Sequence, residues 1–283
     1  AVGEGAGGKI TTGTQNVFVG RSANKEGTTC NDCVAIGDRA GDGNTGNQNT
    51  FVGGRAGAAG GDGGGAMNVG IGFYSLYSTG TADADYNTAV GAYSMEKNTA
   101  GHSNVAVGYE ALEENTTGQK NVAVGRNALD DNTTANNNTA IGYNSLSANT
   151  TGSVNAAVGT NSLDANTTGI RNAAFGYDAL TANTTGGQNS ALGAYALANS
   201  TTGGSNTAVG YDCFSQFNTG SHSTAVGAYA LKNNTSGGYN VAIGSYALDA
   251  NTTGQLNVAI GYNALTAQNA DAYNTAVGAN CLE

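Results

Sequence analysis

The stretch Asn104-Val105-Ala106-Val107-Gly108, followed by Asn115-Thr116-Thr117-Gly118 and then by Asn121-Val122-Ala123-Val124-Gly125, decides the fold. Gly108 and Gly125 belong to a series that runs from Gly91 to Gly278 in steps of 17 residues without a slip. Earlier marks at Gly3, Gly20, Gly37, Gly53 and Gly72 follow with spacings of 17, 17, 16, 19 and 19. A fixed short period means one structural unit stacked many times. Seventeen residues is too short for a helix-pair repeat, which needs roughly 33 to 47, and suits one turn of a β-solenoid.

The tetrads are short β-branched runs, as in Asn240-Val241-Ala242-Ile243, and each is bounded by Gly, Asn and Thr turn chemistry. Each coil is therefore expected to read strand, glycine bend, short second strand, and Asn-Thr-Thr-Gly corner. The expected fold class is all-β, a β-solenoid or β-roll of about 17 coils. Residues 1-66 form irregular Gly-rich coils and residues 67-283 one continuous regular solenoid. Stacked at the ~4.8 Å spacing of paired strands, the coils would make a rod on the order of 80 Å long.

Positions are numbered from the marker glycine as zero. Position −1 is apolar at every mark and position +4 is large and apolar from Leu76 onward, so both are expected to be core. The first four coils carry Gly or Asn at +4, which predicts a thinner core there. Asn recurs at −4, including Asn104, Asn121, Asn138, Asn155 and Asn172. A side-chain amide donates to one coil and accepts from another, so this column reads as a hydrogen-bonded ladder; an exposed turn residue is the alternative.

Position −2 is Ala throughout the regular coils, including Ala106, Ala123, Ala140, Ala157 and Ala174. In a strand it points away from −3 and −1, so an unbroken column of Ala beside Gly suggests close approach of another surface. A neighbouring chain is the expected surface, and the opposite wall of the same coil is the alternative.

With 46 Gly, no Pro, no Trp and 11% charged residues, the chain matches neither an average globular domain nor a charged disordered one. No apolar run approaches the ~18 to 20 residues that span a bilayer. A net charge of −10 with no basic stripe argues against nucleic acid and anionic membranes as partners. All ten Lys and Arg fall at +1, +2, +5, +6 or +12, which marks those positions as solvent-facing. Tyr at +1 or +2, from Tyr109 and Tyr143 through Tyr177, Tyr195, Tyr211, Tyr229, Tyr246 and Tyr262, forms an exposed row. It would stack on sugar rings, contact another rod, or simply pack along an edge.

The runs Asn121-Val122-Ala123-Val124-Gly125-Arg126-Asn127-Ala128 and Asn257-Val258-Ala259-Ile260-Gly261-Tyr262-Asn263-Ala264 resemble the head repeats of trimeric autotransporter adhesins of the YadA type, also found in phage tail fibres. That resemblance implies a left-handed β-roll, a homotrimer of parallel solenoids, and a place outside the cell in adhesion or host contact. The family's coil is shorter and lacks the Asn-Thr-Thr-Gly corner.

Cys30 and Cys33 flank a corner and are the candidate disulfide, with free thiols or half a zinc site as alternatives. Cys213 and Cys281 occupy +3, where small buried residues sit. The Gly-rich stretch from Gly57 to Ala66, with Gly41-Asp42-Gly43, faintly resembles a calcium-binding repeat, but the ladder of Asp is missing; neither calcium nor any other cofactor is expected. No carboxylate pair, Ser-His-Asp set or phosphate loop is assembled by the spacing, so an enzyme is not expected.

Ala1 in place of Met fits a processed chain, and both termini fall inside a repeat. The expectation is a structural subunit of an extracellular fibre, self-assembling through uncapped ends and small-residue lateral faces, with itself as partner in a trimer or end-to-end filament. A trimeric adhesin or tail-fibre segment binding a cell-surface glycan is the alternative. An ice-binding solenoid is the second alternative, from the rank Thr116, Thr133, Thr150, Thr167 and Thr184 at +8.

Overall fold

The computed structural model describes residues 1–58, 64–78, 84–216, 218–267 and 270–282. The centre of the Gly-rich stretch, with Asp62, lies outside the described residues. The chain is an all-β parallel β-solenoid of about 15 turns with a 17-residue spacing. Sixteen strands of three residues each occupy positions −3 to −1, from β1 (Val17–Val19) to β16 (Thr275–Val277). Among the described residues there is no helix. The first mark, Gly3, follows only an isolated bridge between Val2 and Val19.

The chain divides into two compact units, Ala1–Ala140 and Ile141–Glu283. In the first, β1 to β7 (Val122–Val124) pair each with the next, in parallel and in register, as in Val105↔Val122, Ala106↔Ala123 and Val107↔Val124. In the second, β9 (Ala156–Val158) to β16 do the same, as in Ala173↔Ser190, Ala174↔Ala191 and Phe175↔Leu192. Strand β8 (Thr139–Ile141) spans the boundary in sequence. The register survives the irregular spacings: Val34 pairs with Thr50 and Thr50 with Val69.

The inside and outside of these strands are reversed from the expectation at −1 and −2. Ala106, Ala123, Ala140, Ala157 and Ala174 are fully buried within the chain, so they are not an inter-chain face. Their partners are the far wall of the coil, the small residue at +3 and the Leu at +4, such as Ala111 and Leu112 or Ala179 and Leu180, which are also fully buried. The −1 column points outward instead: Val107, Ile141, Phe175, Leu192, Ile243 and Ile260 are all exposed. A coil this thin has room for one large side chain across its interior, and Leu at +4 takes it.

In the N-terminal coils the bulk moves to −2 in alternate coils, while the coil of Ala35 and Gly41 is small at both −2 and +4. Phe18 and Phe51 stand at −2 and are buried. A Cβ on Gly57, at +4, would lie 2.4 Å from the Phe51 ring, and one on Gly7 would lie 3.0 Å from Phe18. Gly70, at −2 of the following coil, is also pressed against Phe51, where a Cβ would sit 2.9 Å from the ring. Bulk missing at +4 is thus supplied from −2 of the same or the following coil.

After each strand the chain bends at the marker glycine. Gly176 has a φ of 145°, and a Cβ there would lie 2.5 Å from the carbonyl oxygen of Gly193. Beyond the bend, +2 and +4 both take left-handed backbone, as in Glu110 (φ 54°) and Leu112 (φ 57°) or Asp178 (φ 51°) and Leu180 (φ 52°). Such a conformation costs an L-residue roughly 1–2 kcal/mol. It is offset because it aims successive N–H groups along the stack. Asp178 N–H donates back to the Thr160 carbonyl at 3.1 Å, while Leu180 and Ala182 donate forward to Ala196 and Ala198 at 3.0 and 2.9 Å. Coil-to-coil pairing thus continues well past the strand, and the left-handed Leu fills the interior.

Candidate functional site

Two columns of asparagine run inside the coils. At −4, the backbone N–H of each Asn donates to Oδ1 of the Asn one coil before: Asn104 to Asn87 at 3.0 Å, Asn121 to Asn104 at 2.9 Å, Asn138 to Asn121 at 2.9 Å and Asn172 to Asn155 at 2.9 Å. The side-chain Nδ2 then donates to the corner carbonyl 14 residues on, as Asn104 to Gly118 at 2.9 Å and Asn155 to Gly169 at 2.9 Å. The column is a ladder of backbone to side-chain bonds, with all six of these residues buried. Ser223 takes the place of one Asn and its hydroxyl accepts from Asn240 N–H at 3.1 Å.

The second column, at +7, was read from sequence only as part of a turn. Its amides bond to one another directly: Asn115 to Asn98 at 2.7 Å, Asn132 to Asn115 at 2.9 Å, Asn166 to Asn149 at 2.8 Å and Asn183 to Asn166 at 2.9 Å. Each also caps its own corner, Asn166 Nδ2 reaching the Gly169 carbonyl at 3.2 Å. These are the asparagines of the Asn-Thr-Thr triplets, and their amides are buried. The available signal was that Asn recurs at +7 in eight of the eleven coils from Gly91 to Gly261, more often than an exposed turn residue has reason to do.

Thr at +8 turns its hydroxyl along the stack. Thr116 Oγ1 donates to the Thr133 carbonyl at 2.9 Å, and Thr150, Thr167 and Thr184 make the same bond to the next Thr at 3.1, 3.1 and 3.2 Å. The rank is joined to the backbone, while the neighbouring +9 residues, such as Thr117, Thr151 and Thr168, are exposed.

The thiols of Cys30 and Cys33 are both free and buried. They occupy the +10 and −4 columns, so Cys33 stands where an Asn of the ladder would be, and its backbone N–H takes up the Asn16 Oδ1 at 2.9 Å. The Cys30 thiol donates toward Cys33, which pulls the Cys33 thiol down to about 7 and pushes Cys30 up. Cys213 at +3 is fully buried, and desolvation pushes its thiol up to about 12. Among the described residues no group of three or more His, Cys, Asp or Glu is arranged to hold a metal ion. His102 lies on an open corner hollow beside Tyr86 and Gln119, and His222 stacks on Tyr239 at 4.9 Å.

Carboxylates crowd at +5 in the first unit. Burial raises Glu96 and Glu113, and Asp130 is pushed up to about 7 by burial first and then by Glu113, Asp131, Glu110 and Glu114. Lys97 pairs with Glu114 at the edge of this cluster.

The surface carries two continuous features. One is the outward face of the strands. Positions −3 and −1 hold no charged residue in any of the sixteen strands, and the −1 residue is exposed in ten of them, by between 36% at Val107 and 65% at Val277, and half-buried in the other six. The other is the tyrosine row, continuous in the second unit through Tyr177, Tyr195, Tyr211, Tyr229, Tyr246 and Tyr262 with centroids 4.9 to 6.1 Å apart. In the first unit Phe73, Tyr93 and Tyr109 continue one another edge to face at 5.7 and 5.9 Å.

The fold and its repeat define a β-solenoid repeat protein. No protein-family model matches the chain, and no match was found among the curated proteins.

Proposed function

We propose that the chain is a structural, non-catalytic subunit of an extracellular fibre, assembling laterally with copies of itself through the outward face of its strands. The observation that carries this is the uncharged apolar column at −1, repeated coil after coil beside Val, Thr, Ala or Ser at −3. Isolated apolar residues on a surface are ordinary, but a contiguous stripe of them marks an interaction site. A stripe with the same residues at the same axial step is complementary to a copy of itself running parallel. Burying it removes water from Val, Ile, Phe and Leu at about 25 cal/mol per Å² of apolar surface.

The small-residue column first suited to this role is interior, so the contact surface is moved one residue along the strand. Three copies around one axis is the arrangement of the YadA-type heads that Asn121 to Ala128 resembles, which favours a trimer. A trimeric adhesin or tail-fibre segment is the second reading, favoured by the exposed tyrosine row.

Light scattering coupled to size exclusion tests the face directly. Wild type is expected to run as an oligomer, and Val107→Glu with Phe175→Glu as a folded monomer. Wild type running as a monomer at micromolar concentration, or the double variant keeping its oligomeric mass, would refute the assignment. Electron microscopy of the same samples separates long filaments from discrete trimers.

A further inference from the structure

The tyrosine row of the second unit has chemistry that neither the core nor the strand face explains. Six successive coils each supply one ring, and the members at +1, Tyr177, Tyr211 and Tyr262, are about half exposed. Carboxylates are interleaved with them. Asp178 and Asp212 follow Tyr177 and Tyr211 in sequence, and the Tyr195 hydroxyl is held above its usual range by burial first and then by its neighbours, these two acids among them.

One step of the row is already filled by a cation from the chain itself. Lys232 Nζ lies 2.8 Å from Asp212 Oδ2 and 4.8 Å from the centroid of the Tyr229 ring. An ammonium is thus held between a carboxylate and a ring face, the two groups that attract it most. The same pairing appears in the first unit with a guanidinium, where Arg126 lies 5.5 Å over Tyr109, next to Glu110. Asp178 with Tyr177 and Tyr195 repeats the Lys232 environment; its Oδ1 accepts from Asn161 Nδ2 at 3.0 Å, and no lysine or arginine occurs between Arg171 and Lys232 to neutralise its charge.

We propose that this row binds an extended polysaccharide of β-linked amino sugars, whose pyranose faces lie on the exposed rings and whose ammonium groups pair with Asp178 and the neighbouring acids. The axial step selects a sugar chain over a peptide. Rings recur every 4.9 to 6.1 Å along the row. An extended peptide presents same-face side chains only every ~6.8 Å and drifts out of step within a few coils. A β-linked pyranose advances by about one ring per coil, on the order of the ~4.8 Å strand spacing. The interleaved carboxylates exclude anionic glycans, and tyrosine supplies an apolar face with little side-chain entropy to lose.

The test is titration calorimetry of the full chain with a glucosamine hexamer, in mildly acidic buffer that keeps its amines charged. Cellohexaose and hexalysine serve as probes of the sugar and the charge alone. The glucosamine hexamer is expected to bind more tightly than either. Tyr177→Ala with Tyr211→Ala should weaken it about tenfold, a factor of roughly three for each ring lost. Asp178→Asn should weaken it while leaving cellohexaose unaffected. A thermal melt of each variant checks that it is folded, and Tyr177→Leu with Tyr211→Leu, which keeps apolar bulk but no ring quadrupole, should also bind weakly. Absence of binding, equal binding of hexalysine, or unchanged affinity in the folded tyrosine variants would each overturn the proposal.

Discussion

The side-chain amide of Asn183 donates to Oδ1 of Asn166, one coil earlier, at 2.9 Å, in an interior from which water is excluded. Asn166 in turn donates to Asn149 at 2.8 Å, so the Asn166 amide is both donor and acceptor in one line along the stack. Asn166→Ala should cost more than a single hydrogen bond, because it strips partners from Asn149 and Asn183 together; ~1–3 kcal/mol is the penalty for each buried group left unsatisfied. Asn166→Asp should be worse at neutral pH, since a carboxylate donates nothing and its charge is buried. Urea denaturation of both variants measures this, and an Asp variant as stable as wild type would contradict the ladder.

Gly176→Ala introduces a methyl 2.5 Å from the Gly193 carbonyl at a φ of 145°, where an L-residue is strained as well. The obstruction is backbone, which cannot move aside without breaking the coil-to-coil bonds. A loss of several kcal/mol is expected, on the order of the largest single-residue effects. Gly187, where a Cβ would meet the Ile170 carbonyl at 3.0 Å and Ile170 Cγ1 at 3.6 Å instead of overlapping backbone at 2.5 Å, should tolerate Ala better. Comparing the two melting temperatures checks the claim, and equal melting points would refute it.

Phe51 and Gly57 should be energetically coupled. Phe51→Ala leaves a cavity worth about 3–5 kcal/mol. Gly57→Leu alone should also destabilise, because its side chain would enter the space of the ring. The double variant recreates the Ala and Leu pair of the regular coils, with the +4 residue already at a φ of 64°, close to that of Leu112 at 57°. It should be more stable than either single variant, a coupling that a double-mutant cycle reads directly.

Asp130 makes stability depend on pH with an unusual sign. Its carboxyl lies near 3.9 when unfolded and is pushed up to about 7 in the fold. The folded state therefore holds the proton more tightly, so this group's contribution is complete below ~4, falls as pH rises, and is lost above about 7. Asp130→Asn should match wild type at pH 4 and melt higher at pH 8. An Asn variant with the same offset at both pH values would show that burial of this carboxyl is not the cause.

Period, class and strand positions were legible because glycine at the bend and Asn at the corners are imposed by backbone geometry, and a 17-residue step has few structural solutions. Which side of the strand faces inward was not legible from one coil. Both −1 and −2 are apolar, and alternation with a period of two labels the faces without saying which is core. The answer lay between coils, since Phe stands at −2 only where +4, Asn24 or Gly57, is not a large apolar residue, and that exchange of volume identifies −2 and +4 as one interior. The +7 amide ladder was hidden because Asn-Thr-Thr-Gly reads equally well as turn chemistry. The pairing of Asp178 with the tyrosines depends on distances along the stack that no single repeat displays.

Neighbouring strands keep their pairing whether the interval is 16 residues, as from Val34 to Thr50, or 19, as from Thr50 to Val69. The closed loop of backbone thus behaves as a belt with one adjustable notch: length is gained or lost between strands while the buckle at each glycine stays where it is. Short foreign peptides spliced between strands should therefore leave the pairing on either side intact, which makes the chain a natural carrier for inserted sequences.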